Sequence, residues 1–152
     1  MRKIKLLLLS VHTILLITLP RFALAGSLGT HCWQQAPFAH VLCFEINDVN
    51  GRYFSLIGET IVENAEYPLH GSALLDNNDN VYRLSFTQNM GDTFVFENAV
   101  SLDPTTLKGT WTDDGGNAGE FQYLGLAPLD PDKLKAITTR RANTQRIKNK
   151  LK

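Results

Sequence analysis

Two cysteines, Cys32 and Cys43, are the residues whose type and spacing indicate chemistry most directly. In an oxidising compartment such a pair forms a disulfide, and closing a loop of about twelve residues stabilises a fold by roughly 2–3 kcal/mol. The alternative is a reactive dithiol, which normally has Cys-x-x-Cys spacing and nearby positive charge to lower a thiol pKa. Both features are missing here, so the sequence predicts one structural disulfide.

Groups suited to catalysis form no motif. His31, His40 and His70 belong to no nucleophile or zinc pattern, and the acidic residues alternate along the chain as surface residues do. The segment from Asp76 to Asn80 mixes carboxylates and amides as calcium loops do, but it lacks the glycine and glutamate of an EF-hand. We therefore predict a protein that is not an enzyme and has no metal site and no cofactor.

Five residues form the predicted ligand site. Asn98, Tyr82, Tyr123 and Thr60 are polar side chains on an otherwise apolar set of strand positions, and Trp111 belongs to the same set. The polar groups would orient a mainly apolar small molecule against the aromatic rings. The alternative is a filled interior in which these groups satisfy one another, because a barrel of seven or eight strands is just wide enough for its own side chains.

The N-terminal residues 1–25 have the pattern of a cleavable signal peptide. A basic start precedes an apolar run over residues 6–19, and Ala23-Leu24-Ala25 supplies small residues for the peptidase. The run of about fourteen residues is shorter than the roughly twenty that a membrane span needs. We predict cleavage after Ala25 and a secreted or periplasmic protein.

Charge is unevenly distributed, although fifteen basic and fifteen acidic residues give a formal net charge of zero. Residues 133–152 contain eight bases and no acid, while residues 26–132 contain three bases and fifteen acids. An acidic body of net charge −12 therefore precedes a basic tail of +8. The tail lacks interleaved aromatics, and export from the cell disfavours a nucleic-acid partner, so both features argue against nucleic-acid binding.

Alternating apolar and polar residues between Asn, Asp, Gly and Pro clusters predict an all-β, antiparallel meander. The predicted strands cover residues 40–48, 53–63, 67–76, 80–88, 93–102, 106–113 and 119–126, with an eighth at 28–34 to close the seam.

Loop lengths test this meander, because opposed residues of an antiparallel pair share a face. A three-residue loop with Gly51 left-handed places Ile46 opposite Phe54, and a loop with Gly91 left-handed places Phe86 opposite Phe94. The same parity is kept by four-residue loops at 63–66, 77–80 and 103–106. It is also kept by a five-residue loop at 114–118, which places Trp111 opposite Phe121.

One face then collects uncharged residues, with Gly58, Gly71 and Gly109 relieving crowding, while charged residues occupy the other face. Burying this face predicts an up-and-down barrel of seven or eight strands over residues 26–129. The uncharged set is Leu42, Phe44, Ile46, Phe54, Leu56, Gly58, Thr60, Val62, Tyr67, Leu69, Gly71, Ala73, Leu75, Tyr82, Leu84, Phe86, Phe94, Phe96, Asn98, Val100, Leu102, Leu107, Gly109, Trp111, Phe121 and Tyr123.

The meander over roughly residues 40–126, together with Gly109-Thr110-Trp111, resembles the calycins, the superfamily of lipocalins, fatty-acid-binding proteins and avidins. The resemblance implies a barrel that holds a small molecule inside. The Gly-x-Trp fragment lies on the sixth strand here and on the first in lipocalins, so the resemblance assigns no site residues.

Residues 130–152 are predicted to form a basic C-terminal helix, with Asp130 as cap and Pro131 in the first turn. The helix is expected to dock on outward apolar residues such as Ile57, Ile61, Leu74, Val95 and Leu124.

The leading functional hypothesis is an exported binding protein for a small apolar ligand in the barrel interior or mouth. The alternatives are an interaction or inhibitor module that presents its acidic surface to a basic protein, and an envelope protein whose tail contacts an anionic membrane.

Overall fold

The computed structural model describes residues 26–63, 65–91 and 94–138, which form a closed antiparallel barrel of eight strands in sequence order. The predicted fold class is confirmed. The predicted signal peptide and residues 139–152 of the tail lie outside the described residues. The strands are β1 Gly26–Gln35, β2 His40–Asp48, β3 Tyr53–Val62, β4 Ala65–Asp76, β5 Val81–Asn89, β6 Val95–Leu102, β7 Gly109–Asp113 and β8 Ala118–Leu126.

Strand β1 closes the barrel, as the sequence predicted. Trp33 lies opposite Leu42 of β2 on one side and opposite Tyr123 of β8 on the other. Because β1 hydrogen-bonds to the last strand as well as to its neighbour in sequence, the described sheet has no free edge.

The hairpins keep the predicted alternation of faces, but five of the six tested registers differ from the predicted pairing. Only the β4–β5 hairpin keeps its predicted register, in which Asp76 lies opposite Val81. Phe86 pairs with Asn98 instead of Phe94, a shift of four residues. The other four hairpins shift by two. Every shift is an even number, which is why the inner and outer faces are nevertheless assigned correctly.

The core fills the middle of the barrel and is built from the predicted inner face together with Trp33 of β1. Phe44 and Phe121 are fully buried, and Trp33 and Trp111 are 1 % exposed. Phe94 was expected inside, and this expectation is wrong: β6 begins at Val95, so the Phe94 side chain lies in the preceding loop and is 60 % exposed.

Two inner-face glycines sit where the backbones of adjacent strands approach each other. A Cβ atom at Gly58 would collide with the carbonyl oxygen of Cys43, and one at Gly109 would collide with the carbonyl oxygen of Ser101. The neighbouring strands would have to separate to admit a side chain, so these positions require glycine, in agreement with the sequence argument.

A second, smaller apolar cluster lies outside the barrel wall and contains the disulfide. Cys32 and Cys43 are opposed residues of β1 and β2 with Cα atoms 4.1 Å apart, and they are bonded as predicted. Together with Val41 they form a buried group against which Leu134 and Ile137 pack. A buried disulfide is compatible with an oxidising extracellular or periplasmic environment.

A short helix, α1, covers this cluster over residues 131–138. The Asp130 carboxylate accepts hydrogen bonds from the backbone N–H groups of Asp132 and Lys133, which confirms it as the cap. Of the predicted outer-face partners, Ile61 and Leu124 belong to the cluster beneath α1, whereas Ile57 and Val95 are exposed. Among the described residues, no helix has the length and apolar character needed to cross a membrane.

Candidate functional site

The middle of the barrel is closed by aromatic side chains, and space remains at its two ends. The Trp33 and Phe121 ring centroids are 5.7 Å apart, and those of Phe44 and Phe86 are 5.0 Å apart. This packing separates one cavity near the start of β1 from another near its end. The two sequence alternatives, a filled interior and a ligand space, therefore apply to different levels of the same barrel.

The first cavity, here called the apolar mouth, has a volume of about 190 Å³ and lies at the end that carries the β2–β3, β4–β5 and β6–β7 loops. Almost all the side chains around it are hydrocarbon or aromatic. They are Leu28, His31, Trp33, Ile46, Phe54, Leu56, Ala73, Tyr82, Leu84, Leu102 and Leu107.

His31 and Tyr123 form the polar group beside the apolar mouth. The Tyr123 hydroxyl lies 2.8 Å from His31 Nδ1, and His31 Nε2 lies 3.3 Å from the Leu28 carbonyl oxygen. A carbonyl only accepts, so in the neutral imidazole Nε2 carries the proton and Nδ1 accepts the hydrogen bond from Tyr123. Burial raises the pKa of the Tyr123 phenol above its ordinary value of 10.0, which keeps this donor protonated.

A closed ring of three amides lies deeper in the barrel, towards its other end. Gln35 Nε2 donates to Asn98 Oδ1 at 2.9 Å, Asn98 Nδ2 donates to Gln88 Oε1 at 2.9 Å, and Gln88 Nε2 donates to Gln35 Oε1 at 3.4 Å. Gln88 Nε2 also donates to Thr60 Oγ1 at 3.0 Å. All four side chains are at most 3 % exposed, so the ring satisfies polar groups that burial would otherwise destabilise.

Trp111 belongs to the main core and lies beneath the β1–β2 loop. Its indole Nε1 donates to the Ala36 carbonyl oxygen at 2.7 Å, and its ring centroid lies 5.4 Å from that of Phe38. The indole therefore fixes the β1–β2 loop against the barrel.

The five predicted ligand residues do not form one site. Tyr82 lines the apolar mouth and Tyr123 lies beside it, whereas Thr60 and Asn98 belong to the amide ring and Trp111 to the core. The prediction of a single cluster assumed strand registers that differ from the observed ones. Asn98 was expected opposite Tyr82 of β5, and it lies opposite Phe86 instead.

Sequence reasoning missed four residues at these sites: His31, Trp33, Gln35 and Gln88. The first three alternate along β1, which was considered only as a strand that closes the seam. Gln88 was left out of the predicted inner face, although it is the eighth residue of β5 and is buried. The alternation of side chains along β1 could have identified His31, Trp33 and Gln35 as inward-pointing residues.

The second cavity, here called the acidic mouth, has a volume of about 380 Å³ and lies at the end that carries the β1–β2, β5–β6 and β7–β8 loops. Amides, aromatic rings and a carboxylate surround it. The lining residues are Gln35, Phe38, His40, Gln88, Met90, Phe94, Phe96, Asp113 and Asn117.

The acidic loop between β4 and β5 is engaged within the protein. The Arg83 guanidinium donates to the carboxylates of Asp76 and Asp79. Arg83 also holds the pKa of Asp76 below its ordinary value, and the main-chain N–H of Asn78 contributes in the same direction. Turn chemistry and this ion pair account for the segment that resembled a calcium loop.

Comparison with models of protein families, with curated proteins and with solved structures finds no match to this chain.

Proposed function

We propose that this protein binds a small, mainly apolar molecule in the apolar mouth and functions as an exported, non-enzymatic carrier or sensor of that molecule. The supporting observation is the cavity of about 190 Å³ with almost entirely apolar walls. A cavity of about 150 Å³ with comparable walls is large enough to hold benzene. A ring of six or seven carbon atoms is therefore the expected size of ligand.

Side chains around the cavity supply both contact area and orientation. Trp33, Leu56 and Leu84 are nearly fully buried and form rigid walls, so little side-chain ordering opposes binding. The phenol of Tyr82 and the imidazole of His31 add polar atoms at the cavity. A ligand with one hydrogen-bonding substituent would gain orientation there without losing apolar contact.

The remaining parts of this proposal concern location and ancestry. The signal-like residues 1–25 and the disulfide support export through a cleaved signal peptide. The eight-stranded meander is compatible with a calycin-like barrel, a topology that commonly encloses a ligand at one mouth.

A toluene titration followed through the ¹³C-labelled methyl groups of Ala73 and Leu84 tests the proposal. Saturable shifts at these two methyls are expected, with a Kd of about 0.1–1 mM, because about −5 kcal/mol for seven carbon atoms is within the known limit for small ligands. Shifts spread over the outer surface, or no saturation, would overturn the proposal.

The variant Ala73→Leu adds three carbon atoms inside the cavity and should weaken toluene binding at least about tenfold by filling the space. Ala99→Leu is the matched control, because Ala99 is an exposed alanine on β6. It should bind toluene as the wild type does. Native mass spectrometry of protein purified from its own host should then reveal the natural ligand as an added mass that Ala73→Leu lacks.

A further inference from the structure

The acidic mouth combines a buried polar floor with aromatic walls. The floor includes Gln35 and Gln88, both 2 % exposed. Among the described residues, the side-chain oxygen Oε1 of Gln35 accepts only one hydrogen bond, from Gln88 Nε2 at 3.4 Å. This distance is longer than that of an ordinary N–H···O hydrogen bond. A carbonyl has two acceptor sites, so a buried oxygen at this cavity retains acceptor capacity.

Acceptors also dominate the rim. Asp113 lines the cavity. Asp114 follows it in the chain, and its carboxylate and N–H group form hydrogen bonds with the backbone of Glu97. Glu63 follows β3 at the same end, and Glu120 lies near the start of β8. These four carboxylates favour a ligand that donates hydrogen bonds and carries positive charge.

Apart from His40, which lines the acidic mouth, the basic side chains of the described residues do not line it. Arg52 and Lys108 belong to loops at the opposite end of the barrel, and Arg83 is paired with carboxylates at that same end. Lys133 and Lys135 lie on α1, which packs on the outer wall of the barrel. No described lysine or arginine lines the acidic mouth, so the negative potential of its carboxylates attracts cations.

Aromatic rings provide the third element of the site. Phe38, Phe94 and Phe96 line the cavity, and Phe94 is 60 % exposed in the monomer. The planes of Phe94 and Phe96 are within 4° of parallel, with centroids 6.4 Å apart. The faces of aromatic rings attract ammonium and guanidinium groups through their quadrupole.

We propose that the acidic mouth is a second binding site, which takes an organic cation with N–H donors, namely an ammonium or guanidinium group. The buried acceptor at Gln35, the aromatic walls and the uncompensated carboxylates all favour this chemistry and disfavour an anion. This ligand class is opposite in polarity to the one proposed for the apolar mouth.

Two sources could present such a group: a free amine, or the basic tail of this chain. Residues 139–152 carry six basic side chains, and fourteen residues can extend over roughly 45 Å, which is longer than the twelve-residue strand β4. The site chemistry is the same for both sources, so the experiment separates them.

The test is a pair of titrations of the full chain with n-butylammonium and with n-butanol, which has the same hydrocarbon length and no charge. The side-chain NH₂ resonances of Gln35, Gln88 and Asn98 report directly on the floor. Butylammonium should shift them saturably and butanol should not. Equal effects of the two compounds, or no shift with either, would overturn the proposal.

Replacing Phe94 by leucine tests the aromatic contribution without disturbing the core, because this side chain is exposed. Phe94→Leu should weaken butylammonium binding about two- to fivefold. Tyr53→Leu, at an aromatic that is 51 % exposed near the other mouth, should leave it unchanged. Equal affinities in the wild type and Phe94→Leu would contradict the aromatic part of the site.

Replacing Asp113 by asparagine tests the charge and should weaken binding by a similar factor. Asp103→Asn is its matched control, because Asp103 is also a loop-capping aspartate but lies at the opposite end. Raising salt to about 0.5 M, where charges are screened within 4–5 Å, should likewise weaken butylammonium binding.

The source is identified by a full-chain variant with Arg140→Gln, Arg141→Gln and Arg146→Gln. If the tail occupies the mouth, this variant shifts the Gln35 and Gln88 resonances before any ligand is added and binds butylammonium more tightly than the wild type. If a free amine is the ligand, the two titrations coincide. Both results require a cation site at this mouth.

Discussion

Replacing Asn98 by leucine should disrupt the amide ring and destabilise the fold. The change removes the acceptor of Gln35 Nε2 and the donor to Gln88 Oε1, both engaged at 2.9 Å. Each buried polar group left without its partner costs about 1–3 kcal/mol, which gives about 2–6 kcal/mol for the two. Burial of the leucine side chain offsets about 1–2 kcal/mol, so the net loss should be about 1–4 kcal/mol.

Thermal and urea unfolding measure this loss. At about 4 °C per kcal/mol for a domain of this size, Tm should fall by about 4–16 °C. Asn89→Leu is the matched control, because Asn89 is an exposed asparagine at the end of β5. It should change stability by less than about 0.5 kcal/mol.

Removing the whole ring separates network behaviour from simple burial. The triple variant Gln35→Leu, Gln88→Leu, Asn98→Leu eliminates the partners together and should lose less stability than the sum of the three single variants. Additive losses, or an Asn98→Leu protein as stable as the wild type, would refute the argument that the three amides stabilise the core as a unit.

Three further predictions concern the barrel wall and its loops. Gly109→Ala should cost about 1–3 kcal/mol in urea unfolding, because its Cβ would collide with the main chain of β6. Cys32→Ser with Cys43→Ser should cost about 2–3 kcal/mol, measured against the oxidised wild type. Hydrogen bonds from the Thr106 N–H and hydroxyl lower the pKa of Asp103 from its ordinary 3.8. Asp103 therefore contributes its full stabilisation at pH values above its unfolded-state pKa of 3.8, and this stabilisation is lost as the pH falls through the lower pKa of the folded state. The variant Asp103→Asn should lose less stability with falling pH, as measured by acid unfolding curves.

The faces of the strands could be predicted from the sequence because alternation constrains parity. Leu42, Phe44 and Phe121 were assigned inward and are fully buried. Parity does not distinguish registers that differ by two residues, and those depend on the loops. For example, the Asp103 carboxylate accepts hydrogen bonds from the N–H groups of Thr105 and Thr106. The loop between β6 and β7 then covers residues 103–108 instead of the predicted 103–106.

The candidate sites were less accessible to prediction because they depend on those registers. Asn98, Gln88 and Gln35 come from β6, β5 and the distant strand β1, and the amide ring forms only with the observed pairings. Individual polar residues such as Asn98 and Thr60 could be identified, since they interrupt an apolar face. Their partners could not, because a shift of four residues between β5 and β6 changes which side chains meet.

Binding in the apolar mouth can be observed in a crystal structure of the protein equilibrated with iodobenzene, because the anomalous signal of iodine locates the ligand independently of any variant. We expect an iodine peak in the apolar mouth, in van der Waals contact with Ala73 and Leu84 and on the far side of Trp33 from the amide ring. Iodine found only on the outer surface, with the apolar mouth empty at saturating iodobenzene, would contradict it.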